Sequence, residues 1–243
     1  FKFCAIVIEK GMPTTVIRAG FMRRALADWE TAERLATRIP MQQIQRFSPQ
    51  SLSILEVPTQ KDLEVIECLY GDATRLIGGS DVGIRYINDE FHITKDSHLF
   101  PPKEKWESKG FTYQECGFWR HGDEVAVPLM EGRMLSHFDF SAKAWVSGKG
   151  RSAVWNEVPW DAKYFGPQYL MSKRDAEDGK YDDVFRPLVT YKKVTASTNT
   201  RTLYATINAR LPSCDSAPLL ISSDDPFWGS LGLCAALNSF AGD

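Results

Sequence analysis

Residues 118–127, FWRHGDEVAV, decide the class of the fold. Strand-like apolar residues, Phe118 and Trp119 before and Val125 to Val127 after, flank Gly122 and Asp123, a pair suited to a tight turn. This reads as a β-hairpin, and the same texture extends outward from it. Short strand-like runs at residues 83–88, 90–94, 111–114, 117–120 and 124–130 alternate with Gly, Asp and Ser turns. Residues 188–194 and 201–210 alternate cleanly. In the second of these runs Leu203, Ala205, Ile207 and Ala209 face one way, and Thr202, Tyr204, Thr206, Asn208 and Arg210 the other. A polar loop at 195–200 joins the two runs, and residues 227–240 close the chain as a helix. Met134, Leu135 and Phe138 stand at helical spacing within 134–140, which reads as a short helix with Met134 and Phe138 anchored in the core.

The first third differs. Residues 1–9 (FKFCAIVIE) form an apolar run expected to be a buried strand, with 14–21 returning beside it as a hairpin. Residues 25–36 carry Leu26, Trp29 and Leu35 at helical spacing. Residues 62–70 read as an amphipathic helix with Leu63, Ile66, Leu69 and Tyr70 inward, its start capped by Thr59 or Asp62. The expected fold is therefore α+β: an N-terminal hairpin and connector helices over 1–70, followed by a β-rich domain with a C-terminal helix over 71–243.

The 243 residues are 43% hydrophobic and 25% charged, enough for a sizeable core without disulfide staples. No run approaches the roughly 18 apolar residues of a membrane span, so no membrane partner is expected. Five scattered cysteines with no C-x-x-C spacing fit a reducing cytoplasm better than a disulfide framework or a zinc ribbon. Lys and Arg number 29 against 31 Asp and Glu, which excludes a uniformly basic coat but not a local basic face. The opening apolar run and the closing apolar helix read as a piece of a longer chain.

Four signals of catalysis fail on geometry. Asp96, Ser97 and His98 are adjacent, so on an extended chain they alternate faces and do not bond in series as a hydrolase triad. His92, His98, His121 and His137 lack metal-ligand spacing, and no metal is expected. Residues 78–83 (GGSDVG) follow a helix rather than a strand, the wrong context for a dinucleotide loop. Residues 100–103 (FPPK) place Phe before the two prolines and Lys after them, so they do not form the loop that stacks a flipped base.

Two signals survive. Residues 186–210 carry Arg186, Lys192, Lys193, Arg201 and Arg210 with no acid, and 141–155 carry Lys143, Lys149 and Arg151 with no acid. Residues 175–183 instead hold five acids and one Lys. Cations among Ser197, Thr198, Asn199, Trp145, Trp155, Tyr191 and Tyr204 suit a polyanion with readable bases. The two basic segments are expected to converge on one face. The second signal is residues 128–139, PLMEGRMLSHFD. Here a strand ends, Glu131 and Gly132 turn, and a helix start near Arg133 offers N–H groups and a guanidinium to a phosphate. The competing reading pairs Arg133 with Glu131 or Asp139 and leaves it a turn residue.

On these stretches the chain resembles type IIG and related adenine-specific DNA methyltransferases of restriction–modification systems. PLMEGRMLSHFDF resembles that family's PLYEGKMIHQFDHR, and residues 91–100 (FHITKDSHLF) are similar to its FHMSNDSHLF. Residues 191–203 (YKKVTASTNTRTL) and 233–240 (LCAALNSF) resemble two later segments of the same family, in the same order. Departures are Arg133 in place of Lys, Phe140 and Ser141 in place of His-Arg, with Lys143 the nearest cation, and Thr200 in place of Glu.

The resemblance implies that residues 1–70 are the end of a methyltransferase-like domain with a helical connector, and that 71–243 are a DNA target recognition domain. It implies double-stranded DNA and an upstream methyltransferase domain of the same polypeptide as partners. It implies S-adenosylmethionine as cofactor of the parent enzyme but none in this chain, which would have no catalytic residue of its own. The residues expected at DNA are Gly132, Arg133, Lys143, Lys192, Lys193, Ser197, Thr198, Asn199 and Arg201, with Asn199 equally suited to shaping its loop. Two rivals are a carbohydrate-binding β module, which needs an exposed planar row of Trp, and a complete enzyme, which needs a deep pocket with a perturbed acid or His.

Overall fold

The computed structural model describes residues 4–31, 33–49, 51–70, 83–115, 117–177, 188–196, 199–208, 210–222 and 227–239. The chain is α+β and divides into two compact units, Phe1–Ala73 and Thr74–Asp243.

In the first unit, β1 (Val16–Ala19) pairs antiparallel with β2 (Thr37–Pro40), Ile17 lying opposite Ile39. Between them lies α1 (Leu26–Glu30), a single turn and a half whose first N–H groups, on Arg24 and Ala25, are taken by the Asp28 carboxylate. Those two donated bonds hold the Asp28 carboxyl below its ordinary range. α2 (Met41–Phe47) starts directly after Pro40, whose fixed φ suits an N-cap. α3 (Gln60–Tyr70) opens with a capping box: Thr59 donates its N–H and hydroxyl to Asp62, and the Asp62 N–H returns to the Thr59 hydroxyl. Ile39, Ile44, Val57 and Leu63 form the buried centre.

Three expectations for this unit are corrected. Residues 4–10 form no strand, and Ile6, Val7 and Ile8 lie exposed; the hairpin is β1–β2, because Ile17 and Ile39 can share a core whereas the opening run has none beside it. The helix read over 25–36 stops at Glu30, since its apolar positions bury nothing: Leu26, Trp29 and Leu35 are exposed. On α3, Leu63 is buried but Leu69 faces solvent; the Tyr70 side chain lies outside the described residues.

Among its described residues the second unit holds two four-stranded antiparallel sheets and a separate ribbon. Its elements are β3 (Ile84–Ile87), α4 (Lys103–Glu107), β4 (Thr112–Tyr113), β5 (Trp119–His121), β6 (Glu124–Pro128), β7 (Lys143–Ser147), β8 (Val154–Glu157), β9 (Leu170–Ser172), α5 (Lys173–Glu177), β10 (Leu188–Tyr191), β11 (Ala205–Asn208), β12 (Leu219–Ser222) and α6 (Trp228–Leu237). One sheet runs β4-β5-β6-β9, with the expected hairpin at Gly122 and Asp123 closing His121 onto Glu124. The other runs β11-β10-β12-β3 and carries α6. Among the described residues β7 and β8 pair only with each other. The largest core cluster, including Phe91, Phe100, Leu129, Met130, Met134, Met171 and Cys214, joins the chain around the β6 exit to the 211–217 segment.

Here too the local reading misses where tertiary partners decide. Residues 90–94 form no strand: Phe91 makes one parallel bridge to Cys214, and the rest is a turn in which Asp96 accepts the His92 backbone N–H. The polar face of 201–210 is only partly solvated, Thr202 being exposed. Thr206 and Asn208 are buried, and Asn208 is satisfied by the Leu211 N–H, the Leu211 carbonyl and the Ser213 hydroxyl. The acidic turn begins as α5 with Asp175 and Glu177; its remaining acids lie outside the described residues.

Candidate nucleic-acid interface

The helix expected over 134–140 is a single 3-10 turn, Gly132–Met134. Met134 and Leu135 are both buried, but Phe138 is 49% exposed and adopts a left-handed φ of 57°, which no helix continues through. The anion seat therefore does not draw on a helix dipole, because one turn has almost none. The Gly132 N–H is also committed, donating to the Ser216 hydroxyl at 2.9 Å. Gly132 is needed for a different close approach: a Cβ there would sit 2.3 Å from the Ser216 carbonyl oxygen.

What remains at this place is charge brought together from three elements. Ser216 is the joint. Its hydroxyl takes the Gly132 N–H, and its carbonyl takes the Lys193 N–H at 3.1 Å, so the 132–134 turn and the segment after β10 are tied to one residue. Ala142 donates to the Met134 carbonyl at 2.7 Å, which delivers Lys143 at the start of β7 beside the same turn. Partial burial first, and then the charges of Lys143 and Arg133, hold the Lys192 ammonium below its usual range. Arg133, Lys143 and Lys192 are thus electrostatic neighbours.

Lys192 lies 5.5 Å over the Tyr204 ring and donates its backbone N–H to the Tyr204 carbonyl, which fixes its stem. Arg133 and Lys143 are exposed, and among the described residues neither makes a hydrogen bond or an ion pair. Two acids lie near. Glu157 faces Lys143 across the β7–β8 ladder without closing an ion pair. Glu131 is buried, with one carboxylate oxygen unbonded among the described residues, and burial raises its pKa to about 7 against the opposing pull of Arg133. Asp139, the other candidate partner of Arg133, is already bound to Lys163 at 2.6 Å.

The remaining residues expected at DNA go elsewhere. Lys193 reaches Asn88 at 2.8 Å. Arg201 donates to the Asn238 and Ser239 carbonyls at 2.8 and 2.9 Å, closing the C-terminal end of α6. Asn238 itself is buried and pairs its amide with both backbone groups of Ala205, at 3.1 and 2.8 Å. Asn199 is exposed in a turn, its N–H bonded to the Ala196 carbonyl. Ser197 and Thr198 lie outside the described residues.

Comparison with protein-family models, with curated proteins and with solved structures finds no match in any of the three. The chemistry of the site rests on its own residues.

Sequence reasoning passed over Ser216 and Asn238, and met Glu131 only as a turn residue and a competing partner of Arg133. Nothing local marks Ser216, whose partners lie 84 positions upstream at Gly132 and 23 upstream at Lys193. Among the described residues no cluster of three His, Cys, Asp or Glu side chains has metal-binding geometry, and no helix is long and apolar enough to cross a membrane.

Proposed function

We propose that this chain is the sequence-specific DNA recognition part of an adenine-N6 DNA methyltransferase or fused restriction–modification enzyme. The convergence of Arg133, Lys143 and Lys192 carries the reading. Like charges held together without a bonded acid are unfavourable unless an anion joins them, and a run of phosphates supplies one. In this reading the three cations position the duplex rather than read it, since phosphate contacts set register and carry no base identity.

The upstream domain binds S-adenosylmethionine and moves the methyl group; this chain contributes no residue to that step. The exposed Ile6, Val7 and Ile8 suit a segment that docks onto further chain. Cys4, Cys68, Cys214 and Cys234 are all free thiols, in keeping with a reducing cytoplasm. The carbohydrate reading gains less support. Of the exposed Trp residues in the second unit, Trp160 and Trp228 lie on different elements, and Trp160 is covered by Lys163 at 4.6 Å.

The test is fluorescence anisotropy of the 243-residue chain on labelled duplexes across a salt series. Replacing Arg133, Lys143 and Lys192 together with Ala should weaken binding to every duplex and cut the log–log salt slope by about three units, one per phosphate contact. An unchanged slope rejects the reading.

A further inference from the structure

The β7–β8 ribbon has the form of a groove-reading arm. Among the described residues it pairs with no other strand; one face rests on the body, where the Trp145 N–H donates to the Gly166 carbonyl at 2.7 Å and Trp155 packs on the main core cluster, and its base meets the cation cluster through Lys143. The tip is tightly built. Gly148 and Gly150 both take left-handed φ, 79° and 54°, and a Cβ on Gly148 would collide with the Ser152 carbonyl at 2.4 Å. The Gly148 carbonyl accepts the Trp145 indole N–H at 3.1 Å and the Gln168 amide at 3.2 Å. The Lys149 carbonyl accepts both the N–H and the hydroxyl of Ser152, at 3.1 and 2.9 Å.

This bonding leaves the tip's side chains outward. Lys149 and Arg151 are exposed, and among the described residues their side chains make no hydrogen bond or ion pair. The nearest acid along the ribbon is Glu157, back at the base opposite Lys143. Val146 and Val154, each 49% exposed, give the ribbon apolar surface that no core covers. A preformed arm with cations at its tip, apolar flanks and an anion seat at its base matches one target shape. The major groove, about 12 Å wide and 8.5 Å deep, admits a two-stranded ribbon, whereas the minor groove at about 6 Å does not. Its floor offers guanine acceptors that fit a guanidinium fork and thymine methyls that fit Val.

We propose, resting on the DNA reading above, that the β7–β8 ribbon enters the major groove and that Arg151 reads a guanine through its N7 and O6. Lys149 assists from the same turn, and Arg133, Lys143 and Lys192 hold the flanking phosphates. Preorganisation of the tip limits the ordering cost of binding.

The experiment selects duplexes from a randomised library with the full chain, then maps contacts by dimethyl sulfate interference. That reagent methylates guanine N7 in the major groove and adenine N3 in the minor groove. The expected result is an enriched site containing a G·C pair whose N7 methylation blocks binding. Arg151→Ala should flatten the preference at that pair by about 10- to 100-fold and lower binding to unselected duplexes far less. Arg151→Lys should restore the unselected binding but not the preference. Wild-type binding without enrichment, interference confined to adenine N3, or a preference unchanged in Arg151→Ala each overturns the ribbon assignment and leaves the chain a DNA-binding protein. Failure of the wild-type chain to retain any duplex overturns both proposals.

Discussion

Arg133 and Arg201 carry the same guanidinium into opposite surroundings. Arg201 finds two backbone carbonyls at the end of α6, where the fold engages one of its guanidinium nitrogens. Arg133 stands exposed beside Lys143 and Lys192, and among the described residues no bond holds it. The region around α6 therefore spends its cation on stability. The region at the base of the ribbon keeps three cations whose mutual repulsion the isolated fold leaves unrelieved. A charge count treats the two arginines alike; their partners separate them.

The largest effect is expected where that comparison is broken on the structural side. Asn238→Ala removes a buried amide that pairs with both backbone groups of Ala205 and with the Cys234 carbonyl. Leaving those groups unsatisfied should cost about 3 kcal/mol, read as a fall in the urea midpoint with an unchanged slope. Arg201→Ala should cost about 1–2 kcal/mol by the same measure, as charged donors to carbonyls are lost. Neither change should alter the salt slope of DNA binding. A shallower slope in Arg201→Ala would place that arginine at the phosphates after all.

Protonation offers a second way to probe the base of the ribbon. Burial raises the Glu131 and Glu90 carboxyls to about 7, above the 4.5 of a free glutamate. Between those values the folded chain binds more protons than the unfolded one, so stability falls as pH rises from 4.5 through 7. The full penalty is present above 7 and relieved below 4.5. Its size is on the order of 3 kcal/mol for each group. Urea midpoints measured from pH 5 to 8 should decline, and Glu131→Gln should flatten part of that decline. An Arg133→Ala chain should show a steeper decline, because the cation that opposes Glu131 burial is gone. A flat profile in the wild type would contradict the buried placement of both acids.

Gly132→Ala sharpens the question of what the turn is for. The added methyl meets the Ser216 backbone at 2.3 Å, so the turn or the 214–217 segment must shift. Overpacking of this kind costs about 1–3 kcal/mol. Because Ser216 also holds Lys193, the shift should move Lys192 away from Arg133 and weaken DNA binding together with stability. Loss of stability with DNA affinity intact would separate the turn from the cation cluster.

How much of this was legible in the sequence follows from the range of the interactions. The hairpin at Gly122 and Asp123, the Thr59–Asp62 cap and the closing helix were legible because each is decided within a few residues. The helix over 134–140 was not: Met134 and Leu135 are apolar because two neighbouring elements cover them, and Phe138 leaves the helical region altogether. Its spacing mimicked a helix face without being one. In the site, the cations Arg133, Lys143 and Lys192 were legible as charge. Their meeting through Ser216, and the diversion of Lys193 and Arg201, depend on partners 23 to 105 positions away that no local pattern encodes.

The smallest expected effect is the most discriminating. At pH 5, where the Glu131 carboxyl is protonated, Arg133→Ala should leave thermal stability within about 0.5 kcal/mol of wild type, because an exposed side chain with no bonded partner among the described residues contributes little to the fold. Relief of its repulsion with Lys192 even favours the variant slightly, by letting the Lys192 ammonium regain part of its ordinary basicity. DNA binding should respond instead. The log–log salt slope should shrink by about one unit, and affinity should fall by similar factors for unrelated duplexes, as for one phosphate contact that reads no base. Arg133→Lys should keep the slope, since a point charge still neutralises a phosphate. A loss confined to one sequence would make Arg133 a base reader and move the recognition surface from the ribbon tip to its base. A loss of stability matching that of Arg201→Ala would show that the two arginines do the same work, and the contrast between the two regions would fall.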